Sequence, residues 1–225
     1  MTQVRRYADL AAQVLAGPAR LGPVRWVAVD DRAGSGKTTF AARLATALRD
    51  AGAGVAEVHT DDLLAGWADI ETFWPRLEAW ILEPLRDGRD AAYQQFDWPG
   101  GRFSDEWVKL SVPDVLIVEG VTSARGAGRP ELTLSVCVLA GHDLRLARGV
   151  ARDGEELRPQ WLRWMADEEK HFAAELTEEQ VDLLIDGSPA VPHDPETEYV
   201  LAPGRRAGDA AGRSGGADFQ HGGRP

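Results

Sequence analysis

Val24-Arg25-Trp26-Val27-Ala28-Val29-Asp30-Asp31-Arg32-Ala33-Gly34-Ser35-Gly36-Lys37-Thr38-Thr39-Phe40 is the stretch that decides the fold. Val24 to Val29 is a short β-rich run, a glycine-bearing turn follows, and from Thr38 to Asp50 the residues Phe40, Leu44 and Leu48 recur on one helical stripe. The turn fits the spacing G-x-x-x-x-G-K-[ST] at every fixed position except the first, where Asp31 replaces glycine. Glycines at 34 and 36 let backbone N–H groups turn inward around an anion, and a helix beginning near Lys37 adds the positive end of its dipole. Ala33, Gly34, Ser35, Gly36, Lys37, Thr38 and Thr39 are therefore the expected cradle for a nucleoside triphosphate. Lys37 is expected to reach the outer phosphates, and the Thr38 hydroxyl to take a Mg²⁺ position. Aspartate tolerates left-handed backbone angles better than most non-glycine residues, so Asp31 is compatible with such a loop if its carboxylate points away, toward Arg32.

Outward from this stretch, strand-like and helix-like segments alternate. Val55 to His59, Val115 to Val118, Leu134 to Leu139 and Val181 to Ile185 read as further strands, two of them continuous apolar runs of the kind a fully buried parallel strand shows. Gln3 to Leu15, within a 1–16 N-terminal segment, reads as an amphipathic helix ended by Gly17-Pro18. Ile70 to Leu85, His142 to Asp153, Pro159 to Glu175 and Glu178 to Gln180 read as helices. The pattern predicts βαβ units, a mainly parallel sheet covered by helices on both faces, and ligands beyond the carboxyl ends of the strands. Residues after Val29, His59 and Val118 then become the candidates for chemistry.

Two carboxylate sites fall at that edge, Asp61-Asp62 after the second strand and Glu119 after the Val115 to Val118 run. Phosphoryl transfer needs a base for the acceptor hydroxyl and a metal on the phosphates, and Asp61 and Glu119 can divide those tasks, with Asp62 a second metal candidate. A helix N-cap or Asx turn is the structural alternative for Asp61-Asp62. A carboxylate directly after four apolar strand residues is close to buried and needs a partner such as Mg²⁺. His59, beside the expected base, is a candidate for the acceptor pocket. Arg145, Arg148 and Arg152 are spaced by three and four, so one helix face presents all three, and guanidinium groups suit a transferring phosphoryl. His171, among Trp161, Trp164 and Met165, reads as a packed side chain.

These residues resemble the uridine kinase branch of the P-loop small-molecule kinases, which also includes phosphoribulokinase and bacterial pantothenate kinase. The resemblance rests on Val29-Asp30 leading into Ala33 to Thr39, on Asp61-Asp62, on Ile117-Val118-Glu119-Gly120-Val121, and on Arg145-Leu146-Ala147-Arg148 with Arg152-Asp153. It covers roughly residues 24–187 and implies a three-layer αβα P-loop fold with a helical lid. Asp61 is then the catalytic base and Arg148 and Arg152 belong to the lid over ATP. The family's aromatic-Asp-aromatic segment with a downstream arginine is similar to Phe96-Asp97-Trp98 with Arg102, in an acceptor-site insertion spanning 88–110, while 142–175 supplies the lid and its following helix. Packing within a hairpin is the structural alternative for Phe96 and Trp98. Departures lie mostly on the acceptor side: Asp31, the absence of an aromatic residue after Asp61-Asp62, and an unusual richness in tryptophan. The reading implied is an ATP- and Mg²⁺-dependent kinase for a hydroxyl of a small, nucleoside-like molecule such as uridine or cytidine. Another metabolite or an antibiotic as acceptor, or an ATP-binding regulatory module without transfer activity, are the alternatives.

Composition bounds these readings. The chain has 225 residues and a formal charge of -11, which excludes a protein whose affinity comes from neutralising nucleic-acid backbones. No apolar run reaches the roughly 18 residues of a membrane span, and no stretch reads as a signal peptide. The single cysteine, Cys137, lies in an apolar run and reads as a buried thiol in a reducing cytoplasm. No Cys/His cluster has the spacing of a structural zinc site. From residue 202 to 225, seven glycines and four arginines with almost nothing apolar read as a disordered tail, leaving 1–201 as one domain.

Overall fold

The computed structural model describes residues 3–203. Its strands are β1 (Gln3–Arg6), β2 (Arg25–Asp30), β3 (Val55–His59), β4 (Ala91–Asp97), β5 (Arg102–Leu110), β6 (Val115–Glu119), β7 (Leu132–Leu139), β8 (Leu183–Asp186) and β9 (Glu198–Leu201). Helices α1 (Tyr7–Ala16), α2 (Lys37–Asp50), α3 (Trp74–Leu77), α4 (Glu83–Arg86), α5 (His142–Asp153), α6 (Arg158–Glu175) and α7 (Thr177–Gln180) connect them. Seven strands make one sheet in the order β1-β9-β8-β7-β2-β6-β3. From β8 to β3 every neighbouring pair is parallel, while β9 and β1 close the other edge antiparallel. This is the expected α/β architecture, with β2 between β6 and β7 so that the loop after β2 stands mid-edge.

The central strands read as unbroken apolar runs because both faces are covered. Trp26 and Ala28 of β2, with Leu116 and Val118 of β6, pack on one side with Phe73, Leu77, Ile81 and Phe172. Val27, Val29, Val115 and Ile117 face the other side, against Leu10 and Val14 of α1 and Phe40, Leu44 and Leu48 of α2. The period-2 split of each strand between two cores is the physical content of the three-layer fold.

Three segments differ from the sequence expectation. Gln3 to Arg6 is a strand rather than the start of a helix: it pairs in register with β9, Gln3 opposite Leu201 and Arg6 opposite Glu198, and supplies the backbone partners that β9 lacks on that side. The expected helix from Ile70 begins only at Trp74, where Pro75 suits the first turn. Farther along, Pro84 has no N–H to donate, and the chain passes through a π-turn at Glu78–Leu82, closed by the Glu83 N–H on the Glu78 carbonyl. At the other end Ala202 is buried and its N–H donates to the Leu184 carbonyl at 2.9 Å, so the ordered chain runs past 201. The rest of the expected tail, from 204 onward, lies outside the described residues. Cys137 is buried, and burial raises its thiol well above the ordinary value. No helix among the described residues is long and apolar enough to cross a membrane.

Candidate active site

Register brings the candidate residues together. Val29 of β2 and His59 of β3 both pair with Glu119 of β6, so three strand ends stand level. From this edge the chain turns through Asp31 to Gly36 into α2. Gly36 holds the cap position at φ 110°, a conformation side chains disfavour. Gly34 has a second reason to be glycine: a Cβ there meets the Arg145 carbonyl oxygen at 2.6 Å, because α5 lies directly over the loop. Asp31 adopts φ 132° and its Oδ1 accepts from Arg32 Nη1 at 3.1 Å, so its carboxylate does turn toward Arg32.

Thr38 Oγ1 donates to Glu119 Oε1 at 2.9 Å, and His59 Nδ1 lies 2.6 Å from the same oxygen. Burial by itself raises the Glu119 carboxyl, but the His59 contact, with Lys37 and Thr38, outweighs it and holds the group below its ordinary range. Reciprocally, the hydrogen bond to Glu119 raises His59 against partial burial. A threonine hydroxyl beside an ionised carboxylate is a hard oxygen donor pair of the kind Mg²⁺ takes alongside phosphate oxygens and water. Asp62 does not join it, since its Oδ2 accepts from Gln95 Nε2 at 3.0 Å on the hairpin. His59 likewise serves Glu119 and is not among the residues lining any of the three cavities described below.

A cleft of about 250 Å³ runs between the loop and α5, lined by Gly34, Lys37, Thr38, Asp61, Glu119, Arg148 and Arg152 among others. Arg148 spans it, donating to the carbonyls of Gly34 at 3.1 Å, Ser35 at 3.2 Å and Gly187 at 3.1 Å. Arg145, on the same helix face, is buried on Glu168 at 3.3 Å and serves packing. Arg152 is held by Asp153 through Nε at 2.7 Å and Nη2 at 2.9 Å, and its guanidinium sits 5.6 Å from the Trp161 ring centroid.

Asp61 opens to solvent yet is walled in by the surrounding cleft, and this crowding, reinforced by Glu119 and Asp62, raises its carboxyl against the pull of Lys37 and Arg152. A second, more apolar cavity of about 480 Å³ begins at Ala33, Asp61 and Arg152, the residues it shares with the first, and is lined by Trp67, Trp98, Trp161 and Trp164. Trp98 Nε1 donates to the Asp61 carbonyl at 3.1 Å. Phe96 stands behind Trp98, its ring 5.4 Å from that indole and 5.3 Å from Phe103, and does not line the cavity. Arg102 is exposed on the hairpin, with Asp105 at 3.9 Å, and is not brought to the site.

Several contributors escaped the sequence reading. Asp30 is wholly buried, and its two oxygens accept the N–H groups of Asp31, Thr122 and Ala124, each at 2.8 Å, fastening the loop to the segment after β6. Glu168, also wholly buried, accepts from the Ala33 N–H at 2.6 Å and from Trp164 Nε1 at 2.6 Å. Glu168 sits 135 residues from Ala33, and no local spacing encodes such a pairing. A third cavity, about 350 Å³, shares Gly36, Thr39 and Arg148 with the cleft and extends past Tyr7, Gly187 and Tyr199.

Fold and site together define a three-layer α/β protein with a helical pair over the glycine-bearing loop that follows β2. Compared by sequence, no family model and no curated protein matches the chain. Compared by structure, it is similar to a possible uridine kinase from Bacillus stearothermophilus, with TM-score 0.60 and 21% identity over 79% of this chain and 96% of that one. It is also similar to a "putative fructose transport system kinase" from Silicibacter sp. TM1040, with TM-score 0.52 and 20% identity over 78% and 89% of the two chains. The likeness establishes the fold, and it is the fold that the resemblance to uridine kinase-like proteins implies.

Proposed function

We propose that the chain is a cytoplasmic ATP- and Mg²⁺-dependent kinase that phosphorylates a hydroxyl of a small molecule. The observation that carries this reading is the meeting of two cavities, one polar and built on an anion loop, the other apolar, at Asp61 and Arg152. A donor phosphate and an acceptor hydroxyl need such a shared point to come in line.

In this reading the loop N–H groups from Gly34 to Thr39 bind the phosphates, and the cavity past Tyr7 and Gly187 takes base and ribose. Thr38 and Glu119 hold Mg²⁺, which when bound neutralises charge on the phosphates. Asp61 accepts the acceptor's proton as the hydroxyl oxygen bonds to the γ-phosphorus, while the bond to the bridging oxygen breaks and its electron pair leaves with ADP. Lys37, Arg148 and Arg152 stabilise the charge on the equatorial oxygens. The raised Asp61 carboxyl is a better proton acceptor than an ordinary aspartate. Uridine and cytidine are the acceptors that the family resemblance implies, and they head the panel.

The test is Asp61→Asn. The variant is expected to keep the stabilisation that ATP gives the native protein and to lose about 10² to 10⁴ in transfer rate. Full transfer by the variant overturns the base assignment, and equal ATP turnover with and without every acceptor favours a non-catalytic nucleotide-binding module.

A further inference from the structure

The apolar cavity beside Asp61 has a chemistry of its own. Trp67 is its centre, packed edge-on against Trp98, Trp161 and Trp164 with ring centroids 5.5, 6.0 and 5.8 Å away. Leu157 and Pro99 complete the apolar wall. Three of the four indole N–H groups are committed to the protein: Trp98 to the Asp61 carbonyl, Trp161 to Asp153 Oδ2 at 3.0 Å, and Trp164 to the buried Glu168. Both Asp153 oxygens are engaged as well, by Arg152 and Trp161. Among the described residues, the Asp61 carboxylate accepts no hydrogen bond. The cavity is thus polar where it joins the phosphate cleft and otherwise walled by indole, leucine and proline.

A uracil or cytosine ring inserted past the junction, where Asp61 and Arg152 meet the hydroxyl end, carries two or three polar edge groups into a wall of indole, leucine and proline that offers, at most, the single indole N–H of Trp67. Each group buried without a partner costs about tenfold in affinity. An apolar ring loses nothing and gains contact with indole.

We propose that the acceptor is a ring alcohol with an apolar aromatic or alicyclic body, seated among Trp67, Trp98, Trp161 and Trp164 with its hydroxyl at Asp61, and not a pyrimidine nucleoside. The proposal deepens the kinase reading and rests on it. In the transfer, the ring alcohol's O–H proton passes to Asp61, its oxygen forms the new bond to phosphorus, and ADP leaves with the electron pair of the broken P–O bond.

The experiment measures binding of phenylethanol, naphthylethanol, cyclohexylmethanol, uridine and cytidine to the full chain by calorimetry, and then ADP formation from each with ATP and Mg²⁺. At least one ring alcohol is expected to bind about tenfold or more tightly than either nucleoside. Trp67→Ala is expected to weaken that binding about tenfold, and Trp67→Phe to restore most of it, with stabilisation by ATP retained in both. Uridine or cytidine binding as tightly as the best ring alcohol, or no ring alcohol binding at all, overturns the proposal. ADP formed with the nucleosides while every ring alcohol stays inert also overturns it and leaves the kinase reading standing. Tight binding of a ring alcohol with no ADP above the acceptor-free rate overturns the kinase reading instead and leaves the preference of the cavity intact.

Discussion

Replacing Asp31 by asparagine isolates the most unusual residue of the loop. Asp31 is 1% exposed, and burial pushes its carboxyl from 3.8 up to about 7 even though Lys37 and Arg32 act against the rise. Arg32 cannot offset it fully, because its guanidinium is shared with Glu169 and Glu178, each at 2.7 Å. A rise from 3.8 to about 7 corresponds to about 4 kcal/mol. The folded state holds this proton longer than the unfolded one, so the full contribution is present below 3.8 and is lost as pH rises toward 7. By about pH 5.5 roughly half of the loss has occurred and by about pH 8 nearly all of it. Asparagine keeps a carbonyl oxygen for Arg32 Nη1 and does not titrate. The stability advantage of Asp31→Asn over the native protein is therefore expected to widen by about 2 kcal/mol between those two pH values, about 4–8 °C in melting temperature for a chain of this length. Circular-dichroism melts of both proteins at the two pH values measure it. Parallel melting curves with a constant gap refute the account of a buried, reluctantly ionised carboxylate.

Glu168→Ala removes the acceptor of the Ala33 N–H and of Trp164 Nε1 and leaves the buried Arg145 guanidinium only Glu169 at 3.4 Å and the Ala140 carbonyl at 3.2 Å; the expected loss is about 3–5 kcal/mol by urea unfolding, and a loss below about 1 kcal/mol means that the pair contributes little. At Gly149 an added Cβ lands 2.5 Å from the Trp161 ring. Gly149→Ala is expected to cost about 1–3 kcal/mol and to weaken ATP binding by displacing the helix that carries Arg148 and Arg152, which unchanged calorimetric affinity refutes. His59→Ala tests the contact with Glu119. Glu119, held below 4.5, contributes stability above that pH, and His59, held above 6.5, contributes below its raised value, so their joint effect is fullest near about pH 6. The melting gap between His59→Ala and the native protein is expected to be larger near pH 6 than near pH 9, and the reverse order removes the ion pair from the account.

Features encoded in short windows were legible in the sequence. Strand β3 and helix α5 fall at the expected residues, because an apolar run bounded by turns or a helical stripe is a local property. The turn from β2 into α2 and Glu119 beside Thr38 follow from motif and strand-end position, and Arg148 over the cleft from helical spacing and the family resemblance. What escaped depends on partners far along the chain. Gln3 to Arg6 becomes a strand only because β9, almost 200 residues later, presents a free edge. Arg145 and Arg148 share one face of α5, yet Glu168 claims the first and the loop carbonyls the second. Asp62 and Arg102 turn away from the site for a similar reason: the partners that decide their orientation, Gln95 and the exposed hairpin surface, are tertiary features.

The tryptophans connect these parts. Asp61 and Arg152 stand at the junction of the two cavities, and each is steadied by an indole of the apolar one: Trp98 holds the Asp61 backbone carbonyl, while Trp161 holds the aspartate that clamps Arg152 and lies under its guanidinium. Trp67 touches both indoles, and with them the hairpin and helix α6. The aromatic wall is therefore a positioning element for the proposed chemistry as well as a surface for the acceptor. A body that fills the cavity fixes the indoles, and the indoles fix the two groups that must meet the phosphoryl. An acceptor too small to reach Trp67 leaves both less constrained, so truncating the apolar body is expected to lower kcat along with apparent affinity. Had the cavity been only a container, truncation would raise KM and leave kcat unchanged.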